Sequence, residues 1–269
     1  NRSIEYVSFP IVPSAEDFTA VENLLKSLEN DFKTKEDIAA IVNSNSDILY
    51  DGRDYSAETV PAEYKEFAFG KKAKKGDCTE ITFNDNTYSM ARIMECGYNK
   101  SDSVKLTLLA SEEGTEDVEL GWFKATDLQK NIADPAFNGK KGETFTVNNG
   151  MGEQTFKIVE KSKATPKVKL AILSRTVTAS SKTYGVLYNQ AKQFIVANNN
   201  ADSLHQAAIA QGLSTTPVYA LNENSDKVND LKNSRAIVRW AFEAEAGQVS
   251  DVFECGNQFI VAALTEVND

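Results

Sequence analysis

The stretch "DPAFNGKKGETFTV", Asp134–Val147, decides how this chain is read, because its outline occurs three times. The other copies are "EFAFGKKAKKGDCTEITF" from Glu66 and "RWAFEAEAGQVSDVF" from Arg239. In each, an Ala-Phe pair is followed by a basic or small-residue spacer, then a Gly, then a β-rich segment that ends a larger block. The pattern has a physical reading. A Phe at a helix end buries itself against a sheet, the Ala beside it allows close approach, and a Gly takes positive φ without strain to turn the chain into the next strand. Taken alone, such a pair reports packing and turn geometry. Its recurrence at matching places reports an internal repeat.

Working outward from the first copy, "IEYVSFPI" from Ile4 reads as a buried strand. Ser14 followed by Asp17 reads as a helix N-cap with an acidic third position, and Phe18, Val21, Leu24, Leu25, Leu28 and Phe32 then keep helical spacing. A second helix covers "KEDIAAIV" from Lys35, "ILYDG" from Ile48 reads as a brief strand, and "PAEYKEFAF" starts a helix at Pro61. "TEITF", the turn "NDN" and "TYSMARIMEC" form a hairpin.

The last block repeats this order. "VKLAILSRTV" from Val168 is its strand, and "SKTYGVLYNQAKQFIVANN" and "SLHQAAIAQGL" are its helices, Gly212 stopping the second. "PVYAL" is the short strand, "KVNDLKNSRAIVRWAFEAEAG" the next helix, and "QVSDVF" with "NQFIVAALTEV" the closing pair. The middle block opens on "VKLTLLAS" from Val104 and reaches its Ala-Phe pair after about half the interval of the others. The early helices are what it lacks. "VELGWF", "TDLQKNIADPAF", "ETFTV" and "QTFKIVEK" supply its remaining strand, helix and hairpin, and "SKATP" links it to the last block.

Composition excludes several functions. A net charge of -10 and 41% hydrophobic residues describe an ordinary globular chain and argue against a nucleic-acid surface, which needs a concentrated basic face. The run "KKAKK" from Lys71 reads as a solvated loop. No apolar stretch approaches the roughly 20 residues of a membrane span. The chain opens on Asn1 without a signal-peptide pattern and reads as a mature form or trimmed fragment, so any anchor would lie outside it. Cys78, Cys96 and Cys255 have neither CxxC spacing nor accompanying histidines, so no metal or cofactor is expected. A hairpin turning at Asn84–Asn86 sets Cys78 opposite about residue 93, not opposite Cys96.

Strand, helices, short strand, helix and hairpin, in that order, resemble the parvulin fold of PpiC-type peptidyl-prolyl isomerases. In the middle block "ELGWF", Leu128, Ile132 and "DPAFNGKKGE" are similar to the family's Gly-Asp-Leu-Gly-Trp-Phe, its spaced Met and Phe, and its Asp-Ala-Ala-Phe with a Lys-Gly-Glu turn. "VPAEYKEFAF" and "NSRAIVRWAF" carry the same outline in the outer blocks. The resemblance implies an α+β fold of three parvulin-like (βα3βαβ2) units at residues 1–100, 101–163 and 164–269, the middle one shortened. Such an array most resembles the later part of a membrane-anchored periplasmic folding factor of the PpiD/SurA kind.

Parvulins lower the barrier to rotation about X-Pro bonds, and the family's active site places two histidines on the first and last strands above an apolar proline pocket. The first-strand positions here fall near Ser8, Leu108 and Ile172, and the last-strand positions near Ser89, Gln154 and Gln258 or Ile260. None is His, so no catalytic residue is assigned. His205, the one histidine, sits in a helix without an evident partner. The proline pocket implied by the resemblance comprises Trp122, Leu128, Ile132, Phe137 and Phe156, residues that would equally suit an ordinary core. Val60 with Tyr64, and Asn233 with Ile237, are its counterparts in the outer blocks.

Three functions follow from this reading. The leading one is a noncatalytic chaperone module binding unfolded or extended envelope-protein segments. The others are a residual isomerase and a structural or dimerisation spacer. Expected partners are polypeptide clients and, for the last reading, a second copy, with no nucleic acid. Exposed contiguous apolar area favours the chaperone over the spacer.

Overall fold

The Ser14 signal produces the cap it suggests. In the computed structural model, which describes residues 1–268, the Asp17 amide donates to Ser14 Oγ at 3.3 Å and the Ser14 amide donates to Asp17 Oδ2 at 3.0 Å. Strand β1 (Arg2–Pro10) precedes this cap and helix α1 (Ala15–Thr34) follows it, with α2 (Ile38–Asn45) next. The first block continues through α3 (Lys65–Phe69), β2 (Thr82–Asn84) and β3 (Thr87–Lys100). The middle block contains β4 (Ser103–Leu108), β5 (Val118–Lys124), α4 (Lys130–Asn138), β6 (Thr144–Asn148) and β7 (Glu153–Lys161). The last contains β8 (Thr165–Thr176), α5 (Ser181–Ala197), α6 (Ala201–Ala210), β9 (Ser214–Leu221), α7 (Arg235–Glu243), β10 (Phe253–Glu254) and β11 (Gln258–Val267). Helices and antiparallel sheets together make an α+β fold.

Several elements differ from the sequence reading: "QVSDVF" forms a strand only at Phe253–Glu254 and "TEITF" only from Thr82, and two further differences have identifiable causes. "ILYDG" forms no strand. Instead Tyr55, a few residues on, bridges Val168 through reciprocal amide-to-carbonyl bonds of 2.8 and 3.0 Å. The helix expected from Lys227 starts only at Arg235, because Asn229 and Asn233 adopt left-handed φ values of 47° and 55° that a helix cannot contain. The buried Ser234 holds this loop, accepting from the Val228 amide at 2.7 Å and donating to the Leu231 carbonyl at 2.8 Å.

The repeated motif forms the same turn in all three blocks. Ala68, Ala136 and Ala241 are buried, as close approach requires. Gly76, Gly142 and Gly247 hold φ values of 92°, 89° and 90°. Their amides donate to Ile93, Ile158 and Leu264 at 2.8, 2.7 and 2.7 Å, and those residues donate back to Asp77, Glu143 and Gln248 at 2.9 Å in each case. The side chains of Asp77, Glu143 and Gln248 then accept from the amides of Lys74, Lys140 and Glu245, each at 3.0 Å. An acidic or amide residue after the glycine thus closes a loop that the glycine alone makes accessible.

The sheets also repeat one order. The middle sheet runs β5-β4-β7-β6, all from one block. A second runs β9-β1-β11-β10, and a third places β3 between β2 and β8, with Tyr55 bridging β8 on its other side. Each therefore has its short second strand or bridge, then a first strand, then the two hairpin strands. In the outer blocks the first strands are exchanged. β1, from residues read as the first block, lies between β9 and β11 of the last, while β8 neighbours β3 of the first. Local pattern cannot show this, because "IEYVSF" and "VKLAIL" offer the same apolar, β-branched strand to either sheet.

The chain accordingly divides into two compact units, Asn1–Leu24 with Thr176–Asp269, and Leu25–Arg175, the boundaries falling within α1 and at the end of β8. In the first unit the period-two alternation of strands fills both faces of the sheet. Ile4, Tyr6, Ile260, Ala262 and Leu264 pack with Ile237, Val238 and Ala241 of α7. Val7, Phe9, Phe259, Val261 and Ala263 pack with Ala191, Phe194, Leu204 and Ala208 of α5 and α6. The other unit buries apolar side chains in several places, Leu25, Phe32, Ile38, Val42, Met90 and Leu173 among them. Val168, Leu170 and Ile172 of β8 join Ala91, Ile93, Tyr55, Val60, Tyr64 and Ala68, while Val104, Leu106, Phe156 and Ile158 join Ala133, Ala136 and Phe137 of α4.

Candidate functional site

The strand exchange assembles one of the strand positions singled out by the resemblance. Ser8 on β1 pairs with Ile260 on β11, two residues from Gln258, and the Ser8 hydroxyl donates to the Gln258 side-chain oxygen. A first-strand position of one block thus meets a last-strand position of another. Both groups are neutral near pH 7, so this pair can hold a register or a hydrogen-bonding ligand but offers no group that titrates there.

In the first block, Ser89 on β3 bonds the hydroxyl of Tyr64. Tyr64 and Val60 are buried, at 3% and 6% exposure, and belong to the core. Burial raises the Tyr64 hydroxyl above the ordinary phenol range, with Ser89 partly opposing it. Above this pair lies a polar hollow of about 360 Å³ lined by Pro61, Ala62, Glu63, Asn84, Asp85, Thr87 and Ser89. Ser89 lines this hollow, whereas Tyr64 and Val60 lie in the core and do not line it.

Of the five candidate pocket residues in the middle block, four come together. Phe137 and Phe156 are buried, and Leu128 and Ile132 pack half-buried against the same cluster. Trp122 does not join them. It is 51% exposed and sits opposite Lys105, whereas its neighbour Phe123 sits opposite the buried Val104 and packs on the cluster. Strand alternation sends the two rings to opposite faces of the sheet. Phe123 and Phe145 complete the apolar group, Phe145 stacking on Phe156 with centroids 5.4 Å apart. Counting by twos from Val104 and its paired strand would have found Phe123.

The strand that carries Trp122 is the edge of its sheet, with β4 on one side only. Val118, Leu120 and Trp122 stand along it at 51%, 37% and 51% exposure. A register shift between Leu106 and Thr107 of β4 sets a bulge at this edge, where Gly121 takes a φ of 85°. Unpaired edge amides and carbonyls beside large apolar side chains are what an extended peptide needs for strand addition.

At the opposite end of this group, Lys161 Nζ donates to the carbonyls of Phe137 and Gly139, both at 2.8 Å, satisfying the last turn of α4. Burial pulls its ammonium below the ordinary lysine range. That role is structural.

His205 has a partner after all. Its Nδ1 lies 2.7 Å from Glu5 Oε1, a residue on β1 that only the exchanged strand brings near. The pair borders a groove of about 570 Å³ with Asn200, Asp202, Gln206, Gly247, Leu264 and Thr265. The His side chain is 54% exposed and the Glu side chain 15%. Among the described residues no group of three or more His, Cys, Asp or Glu is placed to hold a metal ion. No helix among them is long and apolar enough to cross a membrane. No protein-family model matches the chain, and no curated protein matches it at a significant level.

Proposed function

We propose that the chain is a noncatalytic, parvulin-like chaperone module that binds unfolded or extended polypeptide segments of the cell envelope. The carrying observation is the open edge of β5, where Val118, Leu120 and Trp122 are exposed beside unpaired backbone groups. An extended client would add a strand there through main-chain bonds, its alternate side chains meeting Trp122. Such an edge favours binding over a pure spacer, which has no use for exposed apolar side chains. The parvulin part of the reading draws support from the strand order common to the three sheets and from the motif of the middle block. On the resemblance, the family's histidine positions fall near Ser8, Leu108 and Ile172 and near Ser89, Gln154 and Gln258 or Ile260, none of them a histidine, which supports binding without isomerisation. Envelope placement, and any anchor outside this chain, rest on the resemblance alone.

The test is magnetisation-exchange NMR on a short Ala-Pro peptide with and without the protein. Broadened peptide signals with unchanged cis/trans exchange are expected. Accelerated exchange would overturn the noncatalytic reading, and sharp signals at high protein concentration would overturn client binding.

A further inference from the structure

The space that β1 fills has the attributes of a binding site. β9 and β11 flank it without touching each other in the sheet, and β1 pairs with both, from Arg2↔Val267 to Pro10↔Gln258 on one side and from Arg2↔Leu221 to Ser8↔Ser214 on the other. Ile4 and Tyr6 enter one core while Val7 and Phe9 enter the other. Polar contacts fix the register at separate points, Ser8 on Gln258 and Glu5 on His205 at 2.7 Å. The link from β1 to α1 is the short segment Ile11–Ser14.

The three sheets supply the second observation. The corresponding slot is filled by the block's own strand in the middle sheet, and by a strand from a distant block in each of the other two. A slot of this form selects its strand by apolar alternation and register, not by adjacency in the chain.

We propose that the gap between β9 and β11 is a strand-acceptor site whose ligand is the segment Arg2–Pro10 from any copy of this chain. A second copy donates the strand in trans, and reciprocal donation yields a dimer in which each acceptor is completed by its partner. This stands on strand pairing and is independent of client binding at β5.

The experiment uses the full chain with a protease site inserted after Val12. After cleavage the chain is unfolded and refolded with excess fluorescent peptide Asn1–Val12, and native mass spectrometry and gel filtration read incorporation. Stoichiometric uptake is expected, with uptake of a Val7→Asp peptide weaker by at least about tenfold, since it would bury a charge in the core. The uncut chain, refolded at high concentration, is expected to yield dimer. No incorporation of the wild-type peptide overturns the proposal, whether the cut chain refolds without a strand or stays unfolded. Equal incorporation of the Val7→Asp peptide overturns it too, because the acceptor would then not read the strand.

Discussion

A glycine at φ 89° with no atom within 4 Å of a would-be Cβ isolates one physical effect. At Gly142 an added methyl meets nothing, so Gly142→Ala costs only the strain of left-handed φ, about 1 to 2 kcal/mol in a urea melt. Gly139→Ala should cost more, since its Cβ would lie 2.6 Å from Ile158 Cδ1 and 2.9 Å from the Pro135 carbonyl oxygen, and the carbonyl cannot move freely. Equal losses would mean that the neighbours of Gly139 give way and that close approach is not what that glycine is there for. Asp17 tests electrostatics in the same way. Hydrogen bonds from Ser180, the Ser14 amide and Thr183 hold its carboxyl far below the usual carboxylate range. A depressed folded-state pKa contributes stability above the unfolded value, about 3.9, and loses it as pH falls toward the folded one. Asp17→Asn should therefore lower the melting temperature near pH 7, with the gap to wild type closing below about pH 4. A gap that persists undiminished at pH 2 would contradict this. The Ser14–Asp17 half of this site was legible as a capping pattern; Ser180 and Thr183 were not, lying in a distant segment that only the fold brings near.

At the scale of elements, the two aromatic positions of the middle block separate binding from packing. Trp122→Ala should leave stability within about 0.5 kcal/mol, as for other exposed positions, while abolishing the broadening of peptide signals. Phe156→Ala should do the reverse of the first effect, costing about 3 to 5 kcal/mol by opening a core cavity. If Trp122→Ala binds peptide unchanged, the β5 edge is not the client site. Four of the five residues grouped by the sequence lie in one cluster, and Trp122 lies outside it. Leu128 and Ile132 followed from helical spacing, and Phe137 from the motif, because local periods place residues on faces. Trp122 was grouped with them on family pattern, against its own strand alternation. The missing strand at Ile48–Gly52 and the late start of α7 share a different cause. Propensity named those segments, and tertiary pairing at Tyr55 and left-handed asparagines at Asn229 and Asn233 decided otherwise.

For the whole molecule, the blocks visible in the sequence and the sheets of the structure coincide only in the middle. The order of strands was inferable from the repeated pattern, but not the exchange of β1 and β8, since interchangeable strands carry no label of destination. A fragment spanning 101–163 holds all four strands of its sheet, with Ser101 and Ser162 joined at 2.6 Å across its ends, and should give a dispersed amide spectrum alone. Fragments 1–100 and 164–269 each carry a strand of the other's sheet and should be poorly dispersed apart, then gain dispersion on mixing. Two well-dispersed outer fragments would mean that each block can close on its own strand. The exchange also sets a timetable during synthesis. β1 is synthesised roughly 250 residues before β11, with which it pairs, so at about 5 to 20 residues per second the strand waits roughly 10 to 50 s for its neighbour. Throughout that interval Ile4, Val7 and Phe9 are without their native cover, and the nascent chain itself becomes a substrate for whatever shields apolar strands in the cell.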